Sequence, residues 1–153
     1  MNSINIKPIG IIHAEYDGSK QAPIQPVFAT NSLVSVAIIN RELMEGLDGL
    51  DQFTHVILFY WLHKAKSPQL KQKPFLSDKE YGIFAIRSPH RPNPIGMSVV
   101  ELVKIEENRL YFNHADMFDN SPLLEIKPFV PDMDNRPNAG MGWLKNKIQG
   151  FEP

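Results

Sequence analysis

The most chemically pointed stretch of the chain is R-S-P-H-R-P-N-P-I-G, residues 87–96. Its prolines at 89, 92 and 94 fix their own φ at about −65°. They also push Ser88, Arg91 and Asn93 into extended backbone. The segment is therefore stiff before any tertiary contact forms, and its polar side chains have little freedom left to lose on meeting a ligand. Arg87 and Arg91 carry forked donors that match a carboxylate or a phosphate. From these residues alone, a rigid ligand loop and a proline-rich connection between two strands are equally good readings.

Other chemistries are excluded by what is missing. The chain has no cysteine, which removes disulfides, thiolate zinc sites, iron–sulfur clusters and a cysteine nucleophile together. Its five histidines show no H-x-H or H-x-x-x-H spacing. His55 and His63 share strand parity, yet eight residues of strand hold them ~27 Å apart. No metal site is expected. A G-x-G-x-x-G turn and a G-x-x-x-x-G-K-[ST] loop are both absent, so neither a dinucleotide fold nor a P-loop is indicated. Gly96-Met97-Ser98 begins like a nucleophile elbow, but Val100 stands where the second glycine belongs.

The formal net charge is −1, but it is unevenly spread. Residues 64–91 hold Lys64, Lys66, Lys71, Lys73, Lys79, Arg87 and Arg91 against Asp78 and Glu80, a local charge of +5 on an otherwise acidic protein. Such a stretch is a phosphate-facing patch or a solvated lysine-rich loop. The N-terminus lacks the basic and apolar regions of a signal peptide. The longest apolar run, residues 56–62, falls far short of the ~20 residues that span a bilayer. A cytoplasmic protein with no membrane partner is expected.

The elements that must hold these residues are mostly strands. Extended runs are expected over residues 4–15, over 32–39 with Val34, Val36 and Ile38 opposite Ser35 and Ala37, and over 81–87. Residues 54–63 are apolar almost throughout and predict a strand buried on both faces. Residues 98–105 and 109–113 flank the polar turn Glu106-Glu107-Asn108 as a hairpin. A last strand covers 123–130, with Pro128 at an edge or bulge. Asn40 is placed to cap a short helix carrying Leu43, Met44 and Leu47, with Gly49 past its end. Residues 142–148 allow a last turn or two, whereas 64–78 and 131–140 read as loops. The prediction is a mainly β protein: one domain over residues 1–153, a single β-barrel or curled sheet of about six to seven strands with short helices.

Here the residues meet a resemblance. R-S-P-H-R-P-N-P-I-G-M-S closely resembles the signature R-S-P-F-R-P-N-P-I-G-[LM]-S of the TsaA/TrmO-like family. Ile9-Gly10-Ile11-Ile12 is similar to the family's I-G-x-I strand, and Gln25-Pro26 to its proline-flanked glutamine. L-D-G-L-D-Q-F-T-H over 47–55 resembles L-x-G-L-x-x-F-S-H. D-M-F-D-N-S-P over 116–122 and I-K-P-F-V-P over 126–131 resemble D-[LV]-x-D-G-T-P and I-K-P-Y-x-P. His90 replaces the family's aromatic, and Asn120-Ser121 replace Gly-Thr, where Asn tolerates the same left-handed backbone.

The resemblance implies a β-barrel methyltransferase that uses S-adenosylmethionine, works as a homodimer with the cofactor near the subunit interface, and N6-methylates threonylcarbamoyladenosine beside the anticodon of tRNA. Cofactor contacts would fall at Gln25, Pro26, His63, Lys64, Arg87, Met97, His114, Ala115, Asp116 and Met117. Met97 and Met117 would pack on adenine and Arg87 would pair the carboxylate. Asp116 and Asp119 are candidates to take the acceptor's proton, although aspartates in such turns also cap the backbone. Arg91, Asn93 and Lys127 are candidate substrate contacts. Two other readings stay open: methylation of another nucleoside or small molecule, and a non-catalytic nucleotide- or RNA-binding module.

Overall fold

A computed structural model describes residues 3–17 and 33–148. The strands in chain order are β1 (Gly10–His13), β2 (Ser35–Ile39), β3 (His55–Trp61), β4 (Lys71–Gln72), β5 (Tyr81–Gly82), β6 (Ile95–Glu106), β7 (Arg109–Asn113) and β8 (Ser121–Pro128). Six of them close into an antiparallel barrel in the order β1-β2-β7-β6-β3-β8, and β4 pairs with β5 in a small separate sheet. Closure leaves no free barrel edge. Among the described residues, helical structure is confined to short 3₁₀ turns and one α-helical turn, α1 (Pro131–Asp134).

Strand alternation builds the core. Ile12, Ala37, Ile39, Val56, Leu58, Tyr60, Val100, Leu110, Phe112 and Leu123 all point inward and are buried. On β2 the inward set is Ser35, Ala37 and Ile39, and Val36 and Ile38 lie outside. β3 differs from the expectation of two buried faces: Val56, Leu58 and Tyr60 are buried, while Ile57 and Phe59 are only half-buried and Trp61 is exposed. A barrel encloses one face of each strand, and among the described residues no second layer covers the other face of β3.

Boundaries moved in several places. The first strand is four residues long, because Ile4 and Ile6 lie exposed outside the barrel. Only Tyr81–Gly82 of the expected 81–87 strand is extended; Ile83–Ala85 turns as a 3₁₀ helix whose Ile83 is buried. Asn40 precedes a 3₁₀ helix (Arg41–Leu47) but makes no side-chain cap. Its Nδ2 donates instead to the Pro8 carbonyl at 3.2 Å, tying β2 back to the chain before β1. The β6–β7 hairpin forms as expected, with Glu107 at φ 52° in its turn, and β6 starts three residues earlier, at Ile95.

Because all pairings are antiparallel, one barrel end collects the C-terminal ends of β1, β3 and β7 and the N-terminal ends of β2, β6 and β8. The proline loop enters β6 at this end.

Candidate functional site

The C-terminal end of β3 carries Tyr60 inward, the start of β6 carries Ser98 inward, and the residues after β7 bring Asp116 to both. Ser98 Oγ donates to Asp116 Oδ1 at 2.6 Å, and Tyr60 Oη lies 3.3 Å from the same oxygen and 3.0 Å from Ser98 Oγ. Two hydroxyls thus converge on one carboxylate oxygen. Tyr60 and Ser98 are buried, at 4% and 1% exposure, whereas Asp116 keeps part of its surface open to solvent. Burial pushes the Asp116 carboxyl from its ordinary 3.8 up to about 6, against the opposing pull of the Ser98 and Tyr60 hydroxyls and the nearby Arg87 charge. Burial and the Asp116 charge together hold the Tyr60 phenol far above its usual range.

Gly96 makes this arrangement possible. It faces Tyr60 across the β3–β6 ladder, and a Cβ there would lie 2.4 Å from the phenol ring. Only a glycine lets β6 cross so close to that ring.

A second group stands beside the first. Asp119 Oδ1 accepts from His13 Nδ1 and from the Ala14 amide, both at 3.2 Å, and its own amide donates to the Tyr16 carbonyl at 2.7 Å. Asp119 therefore ties the end of β1 to the loop before β8. Asn120 holds φ 62°, the left-handed backbone expected of it. His63 Nδ1 is 3.4 Å from Ser121 Oγ, and burial with the adjacent Lys64 charge lowers its pKa. Lys64 donates to the Asp17 carbonyl, and its ammonium stands 4.9 Å from the Phe118 ring centre.

The residues expected from sequence do not all meet. Arg87, His63, Lys64, Asp116 and Asp119 gather at one barrel end. Ala115 and Met117 are buried in the core, His114 turns outward at φ 63° with Nε2 3.8 Å from Glu101, and Met97 points away from Ser98 onto the outer barrel face, 47% exposed. Arg91 directs Nη1 to the carbonyls of Ile83 (3.1 Å) and Ile86 (2.7 Å), so it braces the loop it belongs to. Asn93 is exposed, and its carbonyl accepts the Ile95 amide at 2.8 Å. Lys127 pairs in register with Ile57 near the opposite end; six residues along β8 put it ~20 Å from Ser121. Gln25 and Pro26 lie outside the described residues.

Tyr60, Ser98 and His13 were missed by reading the sequence. Tyr60 is hidden in an apolar run, where its hydroxyl is the only clue. Ser98 ends the proline signature, and His13 carries no local signal at all. Among the described residues no group of three His, Asp or Glu is placed to hold a metal ion, and no helix is long and apolar enough to cross a membrane.

Residues 11–135 match the family model of the tRNA-methyltransferase O N-terminal domain. A probable S-adenosyl-L-methionine-binding protein of Pyrococcus abyssi is 41% identical over 146 residues, 95% of this chain and 79% of that protein. The mouse tRNA (adenine(37)-N6)-methyltransferase is 34% identical over 141 residues, 88% of this chain but 33% of that enzyme. A crystal structure of TrmO from Pseudomonas aeruginosa superposes with a TM-score of 0.77 at 34% identity, covering 92% of this chain and 62% of that one. The chain thus spans less than two thirds of the TrmO structure and about a third of the mouse enzyme.

Proposed function

The chain belongs to the tRNA-methyltransferase O N-terminal domain family, and on that premise we propose that it is an S-adenosylmethionine-dependent methyltransferase of a single barrel domain that methylates N6 of threonylcarbamoyladenosine beside the anticodon of tRNA. The observation that carries this reading is the meeting, at one barrel end, of Arg87 from the proline signature with the buried Asp116–Ser98–Tyr60 group. The donor set fits the cofactor: Arg87 and Lys64 are cations for its carboxylate, and Asp116 is a counter-charge for its sulfonium. Its chemistry is an electrophilic methyl group.

The protein's own residues do the rest. The acceptor nitrogen lies between adenine and a carbonyl, so its N–H is weakly acidic. Asp116 would take that proton as the nitrogen accepts the methyl group that the cofactor would supply. Ser98 and Tyr60 hold the carboxylate on Oδ1 and fix its direction, which is the orientation such a displacement depends on. Asp119, already engaged by His13 and Ala14, is a positioning residue for the loop.

A cytoplasmic homodimer completes the proposal. On the outer face of β3 and β6, Ile57 with Val99, Phe59 with Met97 and Trp61 with Ile95 form a ladder of apolar cross-strand pairs. Trp61 is 38% and Met97 47% exposed. Apolar surface gathered in one place is typical of a subunit contact. Met97 on that face agrees with a cofactor bound near the subunit interface.

The test is calorimetry with S-adenosylmethionine, followed by mass spectrometry of tRNA nucleosides after incubation with the cofactor. Binding and a one-methyl gain on threonylcarbamoyladenosine are expected. No cofactor binding at near-millimolar concentration would overturn the enzymatic reading. Arg87→Ala should weaken cofactor affinity by about tenfold, the loss of one charge-assisted pair.

A further inference from the structure

The proline loop is braced against a small lobe that the proposed chemistry does not use. β4 and β5 form it, the Ile83 amide donates to the Leu70 carbonyl at 3.0 Å, and the Gln69 amide donates to the His90 carbonyl at 3.0 Å. From this framework Phe84 projects with 79% of its surface exposed, Phe75 with 83% and Leu70 with 73%. Phe84 is not a loose ring. The Arg91 guanidinium lies 5.8 Å from its centre and binds the carbonyls on both sides of the 3₁₀ turn that displays it. An aromatic ring held rigidly in water serves no core.

The charge of the lobe that carries it is mostly positive. Lys66, Lys71, Lys73 and Lys79 are exposed on the same lobe, Lys73 being paired with Asp78 at 3.1 Å. The structure adds two cations that are remote in sequence. Trp143 stacks on Tyr81 with ring centres 4.7 Å apart and donates Nε1–H to the Ala85 carbonyl at 2.7 Å. Lys147 approaches Ser77 Oγ at 3.3 Å, so the segment carrying Lys145 and Lys147 is seated on the lobe. Residues 64–91 and 141–148 together hold nine cations against two carboxylates.

We propose that Phe84 on its Arg91-braced turn, displayed from the lobe that carries these lysines, is a stacking platform for an unpaired base of the RNA that delivers the methyl acceptor. The inference rests on the RNA reading above and adds to it the place where single-stranded RNA is gripped. Exposed aromatics within a basic surface are how proteins hold unpaired nucleotides: the ring takes a base face and the cations follow the backbone. Phe84 precedes Arg87 by three residues, at most ~11 Å of chain. A base stacked there is a near neighbour of one presented to Asp116.

The test uses the whole chain and a fluorescein-labelled tRNA anticodon stem-loop that carries threonylcarbamoyladenosine, with affinity read by anisotropy. Phe84→Ala should weaken binding by roughly ten- to a hundredfold, and Phe84→Trp should restore it. Lys71→Ala and Lys145→Ala should each lower the salt dependence of binding by about 0.7 in slope, which Phe84→Ala should leave alone. Unchanged affinity for S-adenosylmethionine establishes that each variant is folded. Equal RNA affinity for wild type and Phe84→Ala overturns the platform and leaves the methyltransferase reading standing. A wild-type protein that binds the cofactor but no RNA overturns both the platform and the RNA reading it rests on. If Phe84→Ala instead converts a dimer to a monomer in sedimentation, the ring is a subunit contact and the platform is again overturned.

Discussion

At the scale of single residues, Asp116 concentrates the chemistry. Burial raises its carboxyl to about 6, so the rate should climb as pH rises through that value and the carboxylate appears. Asp116→Asn should lower kcat by about a hundredfold or more and remove that inflection, as a pH–rate profile would show. The same shift bears on stability, with a definite sign. The folded state holds this proton more tightly than the unfolded chain, so the contribution is complete below the ordinary 3.8 and is lost as pH rises through about 6. Urea unfolding across that window should show wild type losing on the order of 3 kcal/mol relative to Asp116→Asn. His90 is a different case. Its Nδ1 is buried with no hydrogen-bond partner among the described residues, in a position where the resembled signature has an aromatic. His90→Phe should raise unfolding free energy by about 1 kcal/mol by removing an unsatisfied polar atom.

The strands explain why those residues meet. β6 runs beside β3 with Gly96 directly opposite Tyr60, and Gly96→Ala would drive a methyl into the Tyr60 ring. A loss of about 1–3 kcal/mol is expected from chemical denaturation. The displaced phenol should also lower kcat more than it weakens cofactor binding, because Tyr60 steadies Asp116 rather than the cofactor. Arg91 acts at the same scale: its bonds to Ile83 and Ile86 make the 83–91 segment one rigid unit. The two arginines of the signature thus divide their work, Arg87 at the site and Arg91 within the loop.

For the whole molecule, the barrel separates an inner polar cluster from an outer apolar ladder, and β6 serves both through its alternation. Ser98 faces the cluster while Met97 and Val99 face outward. If the outer ladder joins two copies, a charge in it should separate them. Phe59→Glu is expected to shift the protein from dimer to monomer in analytical ultracentrifugation and to weaken cofactor binding with it, because Met97 lies on that face. A dimer that survives this substitution would place the subunit contact elsewhere.

The local rules of the chain were enough for much of this. Alternation marked β2, an unbroken apolar run marked β3, and a polar turn marked the β6–β7 hairpin, since each of these is written directly in residue order. Proline spacing marked the stiff loop, and the family resemblance singled out Arg87 and Asp116 as candidates before any contact was known. Tertiary structure decided the rest, because it depends on which strands become neighbours. Barrel closure set which face of β3 is inside, left Phe59 and Trp61 outside, sent Met97 away from Asp116 and put Lys127 at the far end. It also drew in Tyr60, Ser98 and His13, three residues between 18 and 106 positions from their partners. No spacing rule reaches that far; only the register of paired strands does.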